Sequence, residues 1–194
     1  MDPELRRDHV IETTIRCIEN SGLRAISLDD IADAAQVSRA TIYRYFPDGR
    51  DQLISEAVTR EVSRFFGQIE SELEDVDELA AKFRITLMLG AKGIAENQLL
   101  QQLLSTEAEE LLPELDMATT VVQGVIRSMI VEELHAGIEK GELRPDLDVG
   151  FASDYLGRML LSCMSTAGQW DLSDPVSIND LVDRWFMAGI RISD

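Results

Sequence analysis

At 194 residues the chain is long enough for one sizeable core or for a small domain on a larger one, and 45% hydrophobic with 28% charged residues is ordinary for a globular protein. No apolar run approaches the roughly 20 residues of a membrane span, and the opening MDPELRRDHV lacks the apolar centre of a secretory signal, so no membrane partner and a cytoplasmic location are expected. A net charge of −18, evenly spread, would argue against nucleic-acid binding, but seven Arg against nine Asp and Glu leave residues 1–50 at only −2. Eleven basic and twenty-seven acidic residues put −16 on residues 51–194, whereas residues 36–50 hold three Arg and one Asp. The acid therefore belongs elsewhere than the locally basic stretch.

A first helix is expected from Pro3 and Glu4 to Asn20, with Ile11, Ile15 and Ile18 at i, i+4 and i+7 and Val10, Thr14 and Cys17 beside them. Ser21-Gly22 ends it. Arg6 and Arg7 have two readings, contacts to a phosphate backbone or solvated residues at a helix start. After the loop from Leu23 to Ile26 comes SLDDIADAAQVSRATIYRYFPDGR, residues 27–50, around which the chain is organised. Leu28, Ile31, Ala32 and Ala35 mark one apolar face of a two-turn helix capped by Ser27, and Gln36-Val37 breaks the pattern. Ser38 caps a second helix with Ile42 and Phe46 inward, closed by Pro47. Two helices joined by so short a turn make a helix-turn-helix.

Each residue advances about 100° around a helix, so inward Ile42 and Phe46 point Ala40 and Arg44 outward, flanked by Thr41 and Tyr43, with Arg39 and Tyr45 nearer the sides. A small residue, an arginine able to reach a guanine edge and hydroxyls able to hold phosphates suit a major groove. A competing reading gathers Tyr43, Tyr45 and Phe46 into an aromatic cluster under the following helix; Phe46 is assigned there, Tyr43 and Arg44 to DNA.

The stretch resembles the DNA-binding domain of the tetracycline-repressor (TetR) family of bacterial regulators: a capping Ser or Thr, an Ile-Ala-Ala helix, Val-Ser, then Thr-hydrophobe-Tyr-x-x-Phe. Here these are Ser27, Ile31-Ala32, Ala35, Val37-Ser38 and Thr41-Ile42-Tyr43-Arg44-Tyr45-Phe46. The resemblance spans roughly the first quarter of the chain. It implies DNA contact through Ser27, Ser38, Arg39, Ala40, Thr41, Tyr43, Arg44 and Tyr45. The family's phosphate-binding lysine is replaced by Arg50 after one extra turn residue, in Pro47-Asp48-Gly49-Arg50, and Ala40 stands where glycine is frequent.

Residues 51–73 read as a long amphipathic helix carrying Leu53, Ala57, Val58, Val62, Phe65, Phe66 and Ile69, a rigid lever from the small domain into the large one. The acidic run 70–78 reads as a solvated helix end and loop, followed by a helix over 78–96 with Leu79, Phe83, Leu87 and Ala91 on one stripe. A short apolar segment, 99–104, precedes a break near Pro113. Residues 114–140 form a helix apolar on more than one face, hence central, which Gly141 stops. Asp148 caps a helix over 149–169 with two stripes, Leu156, Leu160, Cys163, Ala167 and Ala152, Tyr155, Met159, Thr166. The last helix, 177–192, shows Ile178, Leu181, Val182, Trp185, Phe186 and Gly189 in helical register. With no strand pattern or repeat, the expectation is all-α, about nine helices, divided as a DNA-binding domain, residues 1–50, and an effector-binding and dimerisation domain, residues 51–194.

Two terminal helices with wide apolar faces exceed what one small core can use, and a homodimer is expected through Leu156, Leu160, Cys163, Ala167, Leu181, Trp185 and Gly189. The resemblance places the family's dimer interface on these helices, and a two-fold pair would present its reading helices about 34 to 36 Å apart, or further, to a palindromic double-stranded operator. A small-molecule effector, apolar or amphipathic, is expected among Phe83, Met88, Met129, Met159 and Trp170, although methionine at such spacing also builds plain core. The mechanism the resemblance implies is a population shift that spoils half-site spacing and relieves repression; activation would use the same features. Cys17 and Cys163 lie far apart and His9 and His135 have no ligand-spaced partner, so no disulfide, metal or cofactor is expected. No phosphate loop, nucleophile elbow or Ser/His/Asp arrangement favours an enzyme; the other rival is a helical adaptor that uses its helix-turn-helix on protein.

Overall fold

The computed structural model describes residues 3–23, 25–104, 113–166 and 168–192. Among these the chain forms nine α-helices and one π-helical turn, without a strand beyond an isolated bridge between Leu143 and Arg191. The helices gather into two units. By compactness the first unit holds the chain up to Arg64 and resumes from Asn97 to Val121, and the second holds Phe65–Glu96 and the chain from Val122 onward.

In the first unit α1 (Pro3–Ser21) buries Val10, Ile11, Thr14, Ile15 and Ile18. It ends where Gly22, at φ 83°, returns its N–H to Ile18 O at 2.8 Å. The helix α2 (Leu28–Ala35) opens with a complete capping box, since Ser27 Oγ accepts from Asp30 N and the Asp30 carboxylate accepts from Ser27 N. Gln36 then takes the left-handed conformation, φ 55°, and turns the chain into α3 (Arg39–Tyr45). Ile42 and Phe46 are fully buried with Ile31, Ile11 and Leu53, which starts the last core turn from α4 (Arg50–Leu73). Burying each such side chain is worth about 1.5–3 kcal/mol, so α3, only seven residues long, is held by its packing and not by its own propensity.

Charged rungs tie α1 to α4: Arg7 to Glu56, Arg60 to Asp8 at 2.6 Å, and Arg64 to Glu12 at 3.0 Å. Arg7 also lies over the Phe46 ring at 5.0 Å. Of its two readings, Arg7 takes neither; it braces the small unit internally. The short α6 (Gln98–Leu104) joins this unit through Gln102 Oε1, which accepts from Leu23 N at 3.1 Å, and through Asn97, which donates to buried Glu61 at 2.7 Å.

The second unit is built from the end of α4, α5 (Leu79–Glu96), the part of α7 (Pro113–Glu139) from Val122 onward, α8 (Val149–Ser165), α9 (Pro175–Leu181) and the π turn Val182–Phe186. Two glycines set its closest crossings. A Cβ on Gly90 of α5 would fall 1.9 Å from Met164 Sδ of α8, and one on Gly157 of α8 would fall 3.3 Å from Ile126 Cγ2 of α7. Helix α8 stops at Ser165, short of the expected 169, because Thr166 turns extended and its hydroxyl donates back to Ser162 O at 2.6 Å.

The expected single helix over 177–192 is two pieces. Asp174 caps α9, with Pro175 in the first turn where its missing N–H is no loss. After Leu181 the backbone widens, and Met187 N reaches Val182 O in an i→i−5 bond. One extra residue in that turn moves every later residue one place along the wheel. Through the π turn and beyond it Phe186, Met187 and Ile190 are buried, while Trp185 and Gly189, which a 3.6-residue repeat puts on one stripe with Phe186, face outward.

Candidate functional site

The outer face of α3 carries the side chains that the spacing assigns to it. Ser38 caps the helix by accepting from Thr41 N, and its Oγ lies 2.9 Å from Thr41 Oγ1. Arg39, Ala40, Tyr43 and Arg44 are exposed, while Thr41 and Tyr45 are half-buried. Arg44 lies flat over the Tyr45 ring at 4.8 Å and donates to Tyr45 Oη at 3.1 Å. Arg39 pairs with Asp29 at 3.1 Å; its hydrogen bond with Tyr43 and then the Asp29 carboxylate hold its guanidinium above arginine's ordinary value. Tyr43, 47% exposed, leans over Gly49. At φ 69°, and with a Cβ there only 2.9 Å from Tyr43 Cε1, this position needs glycine, a requirement that the tyrosine pattern alone did not reveal.

Two residues expected at DNA have other employment. Ser27 Oγ is held within the capping box of α2. Arg50, half-buried, donates from Nε to Ile26 O at 2.8 Å and from NH2 to Leu23 O at 2.9 Å, fixing the loop that leads into the helix-turn-helix. Its donors face backbone carbonyls 24 and 27 residues earlier in the chain, a pairing that no local spacing encodes.

Within the second unit a cavity of about 260 Å³ opens among α4, α5, α7 and α8. Each of three helices lines it with an i, i+3, i+4, i+7 stripe: Phe66, Ile69, Glu70, Leu73; then Leu79, Lys82, Phe83, Thr86; then Ile126, Met129, Ile130, Glu133. Leu160 and Met164 complete the wall. Of the expected effector residues, Phe83 and Met129 line this cavity; Met88 is exposed on α5, and Met159 and Trp170, half-buried, do not line it. Phe66 was legible as an apolar stripe member but not as a cavity wall, and Met164 belongs to neither of the two stripes expected on α8.

The residues expected at a dimer interface also divide. Leu156, Leu160 and Leu181 are buried within the protomer's own core. Cys163 is half-buried, Trp185 and Gly189 are exposed, and Ala167 lies outside the described residues. On α8, Phe151 at 74% and Tyr155 at 48% exposure stand bare beside the half-buried Met159, while Ala152 of the same expected stripe is buried. The C-terminal segment bares Trp185, at 59%, with Ala188, Gly189 and Ile192. Among the described residues no helix is long and apolar enough to cross a membrane.

A cationic reading helix in one unit and an apolar chamber in another are the two halves of a ligand-responsive, DNA-binding transcriptional regulator. Residues 10–57 of the chain match the family model described as "Bacterial regulatory proteins, tetR family", and the chain is similar to regulators with the same kind of DNA-binding segment. It is 28% identical over 156 residues to the HTH-type transcriptional repressor KstR2 of Mycolicibacterium smegmatis, covering 79% of this chain and 75% of that protein. In fold it is similar to the fatty acid degradation regulator FadR from Bacillus halodurans, with a TM-score of 0.67, 22% identity and 97% of each chain covered. It is similar also to FadR from Bacillus subtilis in complex with stearoyl-CoA, with a TM-score of 0.70, 19% identity, and 90% of this chain and 96% of that one covered.

Proposed function

We propose that the protein is a cytoplasmic repressor, without catalytic activity, that binds a palindromic operator as a homodimer and releases it when an apolar or amphipathic small molecule enters the cavity of the second unit. The observation that carries this reading is the outer face of α3, where Arg39, Ala40, Thr41, Tyr43 and Arg44 stand together. Arg44 is the base reader: an exposed guanidinium carried on a tyrosine ring keeps its fork for a guanine edge. Arg39, Thr41, Tyr43 and Ser38 hold phosphates; a phosphate replaces the exposed Asp29 as partner of Arg39. Tyr45 steadies Arg44, and Ser27 acts through the alignment of α2.

The bare faces of α8 and of the C-terminal segment support the dimer, since apolar side chains so exposed mark an interaction surface. KstR2 is named a repressor, which supports repression over activation. The stearoyl-CoA of the B. subtilis FadR complex has a long apolar tail, which supports an apolar component in the effector. Titration of the protein against DNA flanking its own gene, at several salt concentrations and beside scrambled DNA, tests the reading. Sequence-dependent binding whose log affinity falls linearly with log salt is expected. Equal affinity for scrambled DNA and no site recovered genome-wide would replace the regulator by an adaptor that contacts protein.

A further inference from the structure

We infer that the effector is an amphipathic cation, an apolar body bearing one positively charged nitrogen, and not an anionic or neutral molecule; this rests on the reading of the cavity as the effector site. The floor and the rim of that cavity differ in kind. Phe66, Ile69, Phe83, Ile130 and Leu160 are buried and offer carbon only. The charged lining is four glutamates, Glu70, Glu74, Glu132 and Glu133, against the single lysine Lys82.

Lys82 is already committed: its Nζ pairs with Glu133 across α5 and α7. Glu70, Glu74 and Glu132 are exposed at the mouth, and none has a cationic partner among the described residues. The surrounding sequence deepens the field. Residues 70–78 hold six acids and no base, and residues 51–194 carry eleven basic against twenty-seven acidic side chains. A low-dielectric chamber ringed by one sign of charge concentrates ligands of the other sign and excludes its own.

Position decides where the two parts of the ligand go. A charge drawn down to the phenylalanines would lose its water without a partner, whereas at the rim it keeps water and gains three carboxylates. The body takes the apolar floor. The cavity, at about 260 Å³, stands just below the roughly 300–1,000 Å³ of drug-sized sites, so that body is compact, a ring or two or a short alkyl chain. An acyl chain carrying a phosphorylated, multiply anionic head meets repulsion at this mouth.

The test is calorimetric titration of the protein with three congeners built on an eight-carbon chain, octyltrimethylammonium, 1-octanol and octanoate, at low and at high salt. The cation is expected to bind about tenfold more tightly than 1-octanol at low salt, with octanoate weakest and the spread narrowing as salt rises. The triple variant Glu70→Gln, Glu74→Gln, Glu132→Gln should erase the advantage of the cation and leave 1-octanol binding unchanged. Equal or tighter binding of 1-octanol or octanoate to the wild type would overturn the charge assignment; it would spare the effector site if Met129→Trp, which fills the cavity, abolishes that binding. Failure of all three congeners to bind would remove the cavity reading and the cation with it. The wild-type comparison at two salt concentrations stands without any variant.

Discussion

Arg44 and Arg50 carry the same guanidinium six positions apart, and the fold gives them opposite work. Arg44 is exposed and rests on the half-buried Tyr45 ring, whereas Arg50 turns in to hold the carbonyls of Leu23 and Ile26. Arg44→Ala is expected to cost about 1–3 kcal/mol of operator affinity and to relax base preference at one position of each half-site, with no change in thermal unfolding. Arg50→Ala should do the reverse. Two hydrogen bonds from a charged donor to half-buried carbonyls are worth about 1.5–3 kcal/mol each at most, so a loss of about 2 kcal/mol in stability is expected by urea titration, with the salt slope of DNA binding unchanged. A slope lowered by about one, with stability intact, would return Arg50 to the phosphates. The outward set on α3 was legible because one buried pair, Ile42 and Phe46, fixes the phase of a regular helix. The use of Arg50 was not, because its acceptors depend on how a loop 24 residues away is folded.

Helix ends and helix crossings act at the next scale. Asp30, fully exposed, has its carboxyl held below the ordinary value of 3.8 by the hydroxyl and then the backbone N–H of Ser27. A depressed folded value means that the box stabilises α2 above the ordinary aspartate value and loses that contribution as pH falls through the lower, folded one. Chemical shifts of the Ser27 and Asp30 amides are therefore expected to hold steady from neutral pH to about pH 4 and to move together below it, a step that Asp30→Asn removes. At the α5–α8 crossing two effects compete. Gly90→Ala gains about 1 kcal/mol of helix propensity, but its methyl would sit 1.9 Å from Met164 Sδ, and overpacking costs about 1–3 kcal/mol. Met164 lines the cavity, so a side chain pushed off Gly90 alters that wall, and lower stability and weakened effector binding are expected together, by denaturant titration and calorimetry. Most helices were legible from period and caps, since Ser27, Ser38 and Asp148 all cap in the structure. The π turn was not: its extra residue changes the phase without changing composition, so Trp185 and Gly189 read as one stripe with Leu181 from the sequence and are exposed in the fold while Leu181 is core.

At the scale of the molecule, the uneven charge sets two equilibria against each other. Its two ends were legible in composition alone, −2 on residues 1–50 and −16 on residues 51–194, from seven Arg against nine acids and eleven basic residues against twenty-seven. What composition could not show is which apolar side chains remain bare to join two copies; the fold leaves Phe151, Tyr155, Trp185 and Ile192. In the proposed dimer these faces bring two strongly acidic bodies together. Added salt screens that repulsion, with a Debye length of about 10 Å at 0.1 M and 3 Å at 1 M, so dimerisation should tighten as salt rises. Operator binding by the dimer is expected to weaken over the same range, because each phosphate neutralised by Arg39 in the proposed complex releases a condensed counterion. Well above the dimer dissociation constant only the second effect is visible, and log affinity for DNA falls in a straight line with log salt. Below it the two oppose, and apparent operator affinity is expected to pass through a maximum at intermediate salt. Trp185→Glu, by placing a charge on the bare face, should move that maximum to higher salt and higher protein concentration while leaving the folded protomer intact, as Trp185 is 59% exposed and supports no core. Sedimentation at matched salt concentrations separates the two arms: a monomer that binds the full palindrome with undiminished affinity would refute the dimer, and with it the maximum.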